Sequence, residues 1–224
     1  MHILKNTMIE VELTSKCTLL CPACPRTKDK EEIYNKWSFG ELDIGVIEKL
    51  ASQTPTIEKF IFCGAYGDPI YHSRLFDIID ICHRYNKSIH LETAGNLRNS
   101  EWWDNLSSLL KPKDCVCFSV DGLEHNNHVY RINSNWKSIL DAMTIIGQKA
   151  KCHSVWKWIV FKYNQDDVIE GYKLSKKLGI REFQIVQSGR MPPEYEPTKS
   201  VKQILAELRE YKESQGFDNC IILK

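Results

Sequence analysis

The sequence lacks any apolar run long enough for a signal peptide or a membrane span; its first residues, MHILKNTMIEVELTSKC, are broken by polar groups throughout. A cytoplasmic location is the expectation that follows. Net charge is also missing. The 30 Lys and Arg balance 29 Asp and Glu to a formal +1, so no whole-molecule field recruits nucleic acid or an anionic membrane, and neither is expected as a partner. No repeat, low-complexity tract or long linker divides the 224 residues, which suffice for one domain with a sizeable core or two small ones at most. A disulfide framework is excluded as well, because the nine cysteines are odd in number and scattered. Metal ligation for some and burial for the rest is the simpler account.

What is present is an alternation. Hydrophobic content of 42% and charged content of 26% fit an ordinary globular protein. Short β-branched and aromatic runs predict strands at Met8–Thr14, Ile57–Cys63, Ser88–Thr93, Cys115–Val120, Val155–Phe161 and Glu182–Gln187. Amphipathic segments predict helices at Asp43–Gln53, Ser73–Tyr85, Glu101–Leu110, Trp136–Lys149, Asp166–Leu178 and Val201–Ser214. Ser100 is a candidate N-cap, Asn164 a candidate cap before Asp166 and Asp167, and Gly179 a candidate left-handed C-cap. Six β-then-α units imply an α/β fold: a parallel sheet with helices outside, a partial (β/α)6 TIM-like barrel open on one side. Residues 1–216 are expected to form the core domain and 217–224 a C-terminal tail.

Strand parity adds a cavity. Along Cys115–Asp121 the odd positions are small or polar and the even ones apolar, while His90 and Glu92 oppose Ile89 and Leu91. With the apolar set under the helices, Cys115, Cys117, Ser119, Asp121, His90, Glu92, Glu10 and Glu12 look into the barrel. A partly solvated face with paired carboxylates is the plainer alternative.

The first predicted strand runs into Thr14-Ser15-Lys16-Cys17-Thr18-Leu19-Leu20-Cys21-Pro22-Ala23-Cys24-Pro25-Arg26. Three thiolates on eight residues of loop suit an iron–sulfur cluster or zinc. A structural zinc site takes four closed ligands. Here no fourth Cys or His is near, and the next cysteine is Cys63. Three protein ligands on a [4Fe–4S] cluster leave one iron open.

The Cys17-x3-Cys21-x2-Cys24 spacing after a first strand resembles the radical S-adenosylmethionine (SAM) superfamily, and SKCTLLCPACPR resembles its CPxCPR branch, many of whose members modify peptides or proteins. The resemblance implies that Cys17, Cys21 and Cys24 hold the cluster and that SAM binds its open iron. Reductive cleavage of SAM would then yield a 5′-deoxyadenosyl radical that abstracts hydrogen from substrate. It also implies an external electron donor of flavodoxin or ferredoxin type. Further matches run in order over about residues 8–190. Gly64-Ala65-Tyr66-Gly67-Asp68-Pro69 resembles the GxxGEP segment that contacts the SAM amino group, with Asp68 where Glu is usual, so that Gly64, Tyr66, Gly67 and Asp68 become candidate contacts. Thr93-Ala94-Gly95-Asn96 resembles a polar turn near the SAM carboxylate or ribose, and Ser119-Val120-Asp121-Gly122 the S-x-D-G segment. Lys162, Asn164 and Gln187 fall where the family binds the adenosyl group. Ala23 replaces an aromatic residue common before the third cysteine, a feature of the branch. Each segment alone also reads as an ordinary strand-ending turn.

Members of this branch often carry a C-terminal SPASM domain with further clusters; after Cys152 this sequence has only Cys220, so either the chain is a minimal core or it is a fragment. Cys63, Cys82, Cys115, Cys117, Cys152 and Cys220 read as buried hydrophobes, with Cys115 and Cys117 facing the cavity. Thr27–Leu42 reads as a loop near the substrate entrance. Trp156 and Trp158 read as packing residues, and Ser188–Ser200 as a connection serving as lid or domain junction. A peptide or protein side chain is the favoured substrate, with a small molecule or nucleotide next. A non-catalytic metal-binding scaffold and a zinc-stabilised module are the readings from other classes.

Overall fold

A computed structural model describes residues 7–28, 39–189, 192–215 and 222–223. Its centre is one sheet in which every neighbouring pair is parallel and spatial order follows chain order. The strands are β1 (Met8–Glu12), β2 (Lys59–Cys63), β3 (Ser88–Thr93), β4 (Cys115–Ser119), β5 (His153–Ile159), β6 (Glu182–Val186) and the two-residue β7 (Ile222–Leu223). β1 and β7 are the two edges, so the sheet does not close. The open α/β architecture agrees with the alternation in the sequence. The short edge strand lies in the segment read as a tail.

The helices are α1 (Pro25–Lys28), α2 (Ile44–Gln53), α3 (Leu75–Arg84), α4 (Ser100–Leu109), α5 (Asn127–Tyr130), α6 (Trp136–Lys149), α7 (Val168–Lys177) and α8 (Val201–Ser214). The apolar stripes of the longer helices meet one face of the sheet. Ile78 and Ile79 of α3, Leu106 of α4 and Ile139 and Met143 of α6 share a core with Phe60, Phe62, Leu91, Val116 and Phe118. Each such fully buried side chain contributes about 1.5–3 kcal/mol relative to exposure. Trp156 and Trp158 are fully buried in this core against Phe183, as packing residues.

The opposite parity set forms a separate interior. Cys115, Cys117 and Val155 cluster apart from the helix-side core, and Glu92 pairs there with Lys157 at 2.7 Å. A period of two along each strand places the polar set inward and the apolar set under the helices.

Two cap assignments need correction. Asn99, not Ser100, caps α4: its side chain accepts from Trp102 N at 2.9 Å, and Ser100 is already helical. Asn164 caps no helix. Its Oδ1 accepts from Phe161 N at 2.7 Å, and its Nδ2 donates to Asp121 O at 2.8 Å and Ile159 O at 2.9 Å. Those bonds satisfy backbone groups at the exits of β4 and β5, and α7 starts later, after Asp167. Gly179 follows α7 at φ 79°, the left-handed conformation that glycine adopts without a Cβ clash.

Residues 29–38 of the segment read as an entrance loop lie outside the described residues, as does Cys220. Its end folds back onto the first strand's exit: Leu42 N donates to Leu13 O at 2.8 Å, and Thr14 bridges Glu41. Within 188–200, Pro193–Tyr195 forms a 3-10 turn whose Tyr195 ring packs edge-on against Tyr130 and Phe161. Pro193–Tyr195 thus lies against the exits of β4 and β5.

Candidate metal and cofactor site

Cys17, Cys21 and Cys24 line one open cavity at the C-terminal ends of the strands, where parallel α/β sheets place ligands. The loop that presents them is tied at several points. Arg26 Nη2 donates to the carbonyls of Cys17 at 3.0 Å and Leu19 at 2.7 Å, which gives the arginine of CPACPR a local task. Leu20 N donates to Ile132 O at 3.1 Å, and Asn96, fully buried, donates from Nδ2 to Thr18 Oγ1 at 2.8 Å. Pro25 opens α1 at a position where its missing N–H costs nothing.

Two of the sulfurs receive donors. Leu19 N donates to Cys17 Sγ at 3.4 Å, and Arg131 Nη1 to Cys21 Sγ at 3.7 Å. Burial, reinforced by Asp68, raises the Cys17 thiol to about 11. Burial raises Cys21 as well, against the opposing pull of Arg131. Without a metal these are thiols, so loading a cation releases protons and strengthens with rising pH.

The second wall is Gly64–Pro69. Glu12, at the end of β1, accepts from Ala65 N at 2.7 Å and so pins this turn over the first strand. Asp68 N donates to Lys16 O at 2.8 Å, joining the turn to the cysteine loop. A Cβ on Gly67 would sit 1.8 Å from Thr14 O, and one on Gly64 2.1 Å from Gly67 O. Both contacts are with backbone, so a side chain on Gly67 would separate the turn from the cysteine loop and one on Gly64 would open the turn itself. Gly67→Ala is therefore expected to cost at least the roughly 1–3 kcal/mol of ordinary overpacking. It should also lower iron uptake, checked by urea denaturation and iron analysis of the same preparation.

Asp68 lines the cavity but spends both oxygens inside the protein. Oδ1 accepts from Ile70 N at 3.2 Å, and Oδ2 from Thr93 Oγ1 and Ala94 N, both at 2.9 Å. Burial pushes its pKa up, while those three donors pull it down. The group fastens the β2 exit to the β3 exit.

Gly64, Tyr66, Gly67, Asp68, Thr93 and Ser119 line the cavity together with the cysteines. Four other candidates do not. Asn164 is fully buried in the turn described above, and Lys162 and Gln187 are exposed outside the cavity wall. Asp121 is fully buried behind Arg131: Oδ2 accepts from Arg131 Nε at 2.6 Å and Oδ1 from Ile159 N at 2.8 Å. Burial would lower the arginine's pKa, but Asp121 and Cys21 together hold it above its ordinary value.

Arg131 is the site residue that the sequence reading missed. It lies in α5's exit, Val129-Tyr130-Arg131-Ile132, with no motif around it. A lone arginine after a turn carries no signal until the chain folds it 110 residues back to Cys21. Tyr130, stacked on Phe161 at 4.4 Å, and Glu92 also line the cavity.

The donor set fits a cluster held by three protein thiolates. The sulfurs share a cavity, N–H groups reach two of them, and Asp68, the nearest carboxylate of the turn, is already engaged. No protein-family model matches the sequence, and no curated protein does. Solved structures do match. SuiB from Streptococcus suis, bound to S-adenosylmethionine, aligns at TM-score 0.77 and 11% identity over 97% of this chain and 50% of that one. The chain shares the SuiB fold. The protein anSMEcpe, with bound AdoMet, aligns at 0.70 and 18% identity over 96% of this chain and 63% of that one. This chain thus spans half of SuiB and under two thirds of anSMEcpe. SuiB also appears bound to the precursor peptide SuiA, and anSMEcpe to AdoMet and the Cp18Cys peptide. No helix among the described residues is long and apolar enough to cross a membrane.

Proposed function

We propose that this chain is a radical SAM enzyme. The observation that carries the reading is the convergence of Cys17, Cys21 and Cys24 on one cavity at the strand exits, in a fold shared with AdoMet-bound proteins. A [4Fe–4S] cluster held there, reduced by an external flavodoxin- or ferredoxin-type donor, would supply the electron that cleaves SAM and starts hydrogen abstraction from substrate.

The chain's own residues position and shield. Backbone of the Gly64–Gly67 turn, free of Cβ atoms at its tightest points, offers close approach to the amino end of SAM. Arg131, a partly buried cation on the cavity wall, suits its carboxylate, with Ser119 as a hydroxyl partner on the same wall. Asp121 and Asn164 act through Arg131 and the β5 turn rather than by contact. Lys162 and Gln187 remain assigned to the outer, adenosyl end. Tyr130, Phe161 and Tyr195 form an aromatic rim that limits water entry.

A peptide or protein side chain is the favoured substrate, supported by the peptides bound to SuiB and anSMEcpe. Anaerobic reconstitution followed by SAM turnover tests the whole reading. About four irons and four sulfides per chain, with 5′-deoxyadenosine formed under dithionite, is the expected result. Zinc in place of the iron, with no SAM cleavage, would overturn it.

A further inference from the structure

A second set of ligating side chains, none of them from the cysteine loop, meets on the inward face of the sheet, with Glu92 also on the wall of the cysteine cavity. The register of β3 on β4 sets Glu92 directly opposite Cys117. His90, two residues earlier on β3, shares that face. One ring nitrogen of His90, one carboxylate oxygen of Glu92 and Sγ of Cys117 all lie within 4.8 Å of one another.

An ion-pair network explains part of this. Lys157 Nζ donates to Glu92 Oε2 at 2.7 Å, which compensates the carboxylate charge. Oε1 faces His90 Nε2 at 3.5 Å, so the imidazole and the carboxylate already point at each other. The Cys117 thiol, 2% exposed, stands at the same point on the neighbouring strand.

We propose that His90, Glu92 and Cys117 form a second metal site, for a divalent cation of the zinc class, independent of the three-cysteine loop. One nitrogen, one oxygen and one sulfur make a donor set that zinc takes. Bonds of about 2.0–2.3 Å put tetrahedral donors roughly 3.3–3.8 Å apart, so closing the triad needs side-chain shifts of about 1 Å. Binding would release the Cys117 thiol proton to solvent, and the resulting thiolate with Glu92 would balance the dication. Lys157 would stay on Oε2 and orient the carboxylate from outside the coordination sphere. Three protein ligands leave a fourth position. Because Glu92 also lines the cavity, a donor group of substrate entering there could reach it.

The test uses the full chain with Cys17, Cys21 and Cys24 replaced by serine, titrated with Co2+ alone. One cobalt per chain, with tetrahedral visible bands and a single-thiolate charge-transfer band, is expected. Adding His90→Ala or Cys117→Ser should weaken binding at least ~10-fold. If the triple variant fails to fold by circular dichroism, elemental analysis of zinc-supplemented wild type loaded with iron and sulfide replaces it. One zinc beside the irons, lost in Cys117→Ser, is then expected. No cobalt in the folded triple variant, no zinc in the loaded protein, or binding indifferent to Cys117→Ser overturns the site. None of these outcomes depends on SAM cleavage, so this proposal and the enzymatic one fail separately.

Discussion

Cys21→Ala is expected to abolish iron retention and SAM cleavage together while leaving the fold in place. The Cys21 side chain belongs to a small cluster with Leu19, Ala94, Tyr130 and Phe161, separate from the main core under the helices. Removing one sulfur there costs little packing, on the order of 1 kcal/mol. It removes one of three ligands, and two thiolates do not retain a cluster against chelators. Cys82→Ala is the matched control, because Cys82 is fully buried in the main core and away from the cavity. That variant should lose stability but keep its iron. Iron and sulfide analysis of both proteins, with urea midpoints alongside, decides the matter. Retained iron in Cys21→Ala would mean that the ligands are misassigned.

Arg131→Met should destabilise the protein by about 3–5 kcal/mol, the usual cost of stranding one partner of a buried ion pair. Asp121 is fully buried, and without Arg131 one of its oxygens loses a 2.6 Å charged bond. The other oxygen keeps Ile159 N, so the carboxylate cannot simply turn to water. Asp121→Asn in the same chain should recover a large part of the loss, because it removes the stranded charge. Urea denaturation of the two single variants and the double variant gives the coupling energy. Additive losses would show that the pair is not the source of the effect.

Much of the fold was legible locally. Every predicted strand and helix has its counterpart, because apolar periodicities of two and 3.6 are written in neighbouring residues. Boundaries moved where a side chain competed for the backbone. Predicted over Val155–Phe161, β5 ends at Ile159, where the Asn164 side chain takes the Ile159 carbonyl and the Phe161 N–H. Asn99 displaced Ser100 for a similar reason: its carboxamide reaches Trp102 N from the position before the first helical residue.

The glycines show the limit of reading such a site from motifs. Gly64 and Gly67 stand out in sequence as turn punctuation, yet the reason for Gly67 is a carbonyl of Thr14 that only the folded β1 exit brings within 1.8 Å of a Cβ, and Gly64 is held by the carbonyl of Gly67, 2.1 Å from where its Cβ would sit. Asp68 stands out as an acceptor, yet its acceptor capacity is consumed by Ile70, Thr93 and Ala94.

By itself the sequence determined the β/α alternation, the two-faced strands and the spacing of three cysteines on one loop. Each of these is a pattern among residues close in the chain, where covalent geometry alone sets which side chains share a face. Tertiary structure alone decided that Arg131 reaches Cys21, that Asp121 lies behind it, and that His90, Glu92 and Cys117 meet inside the barrel. Those contacts depend on which strands pair and in what register, and that is settled by burial of the whole apolar face at once.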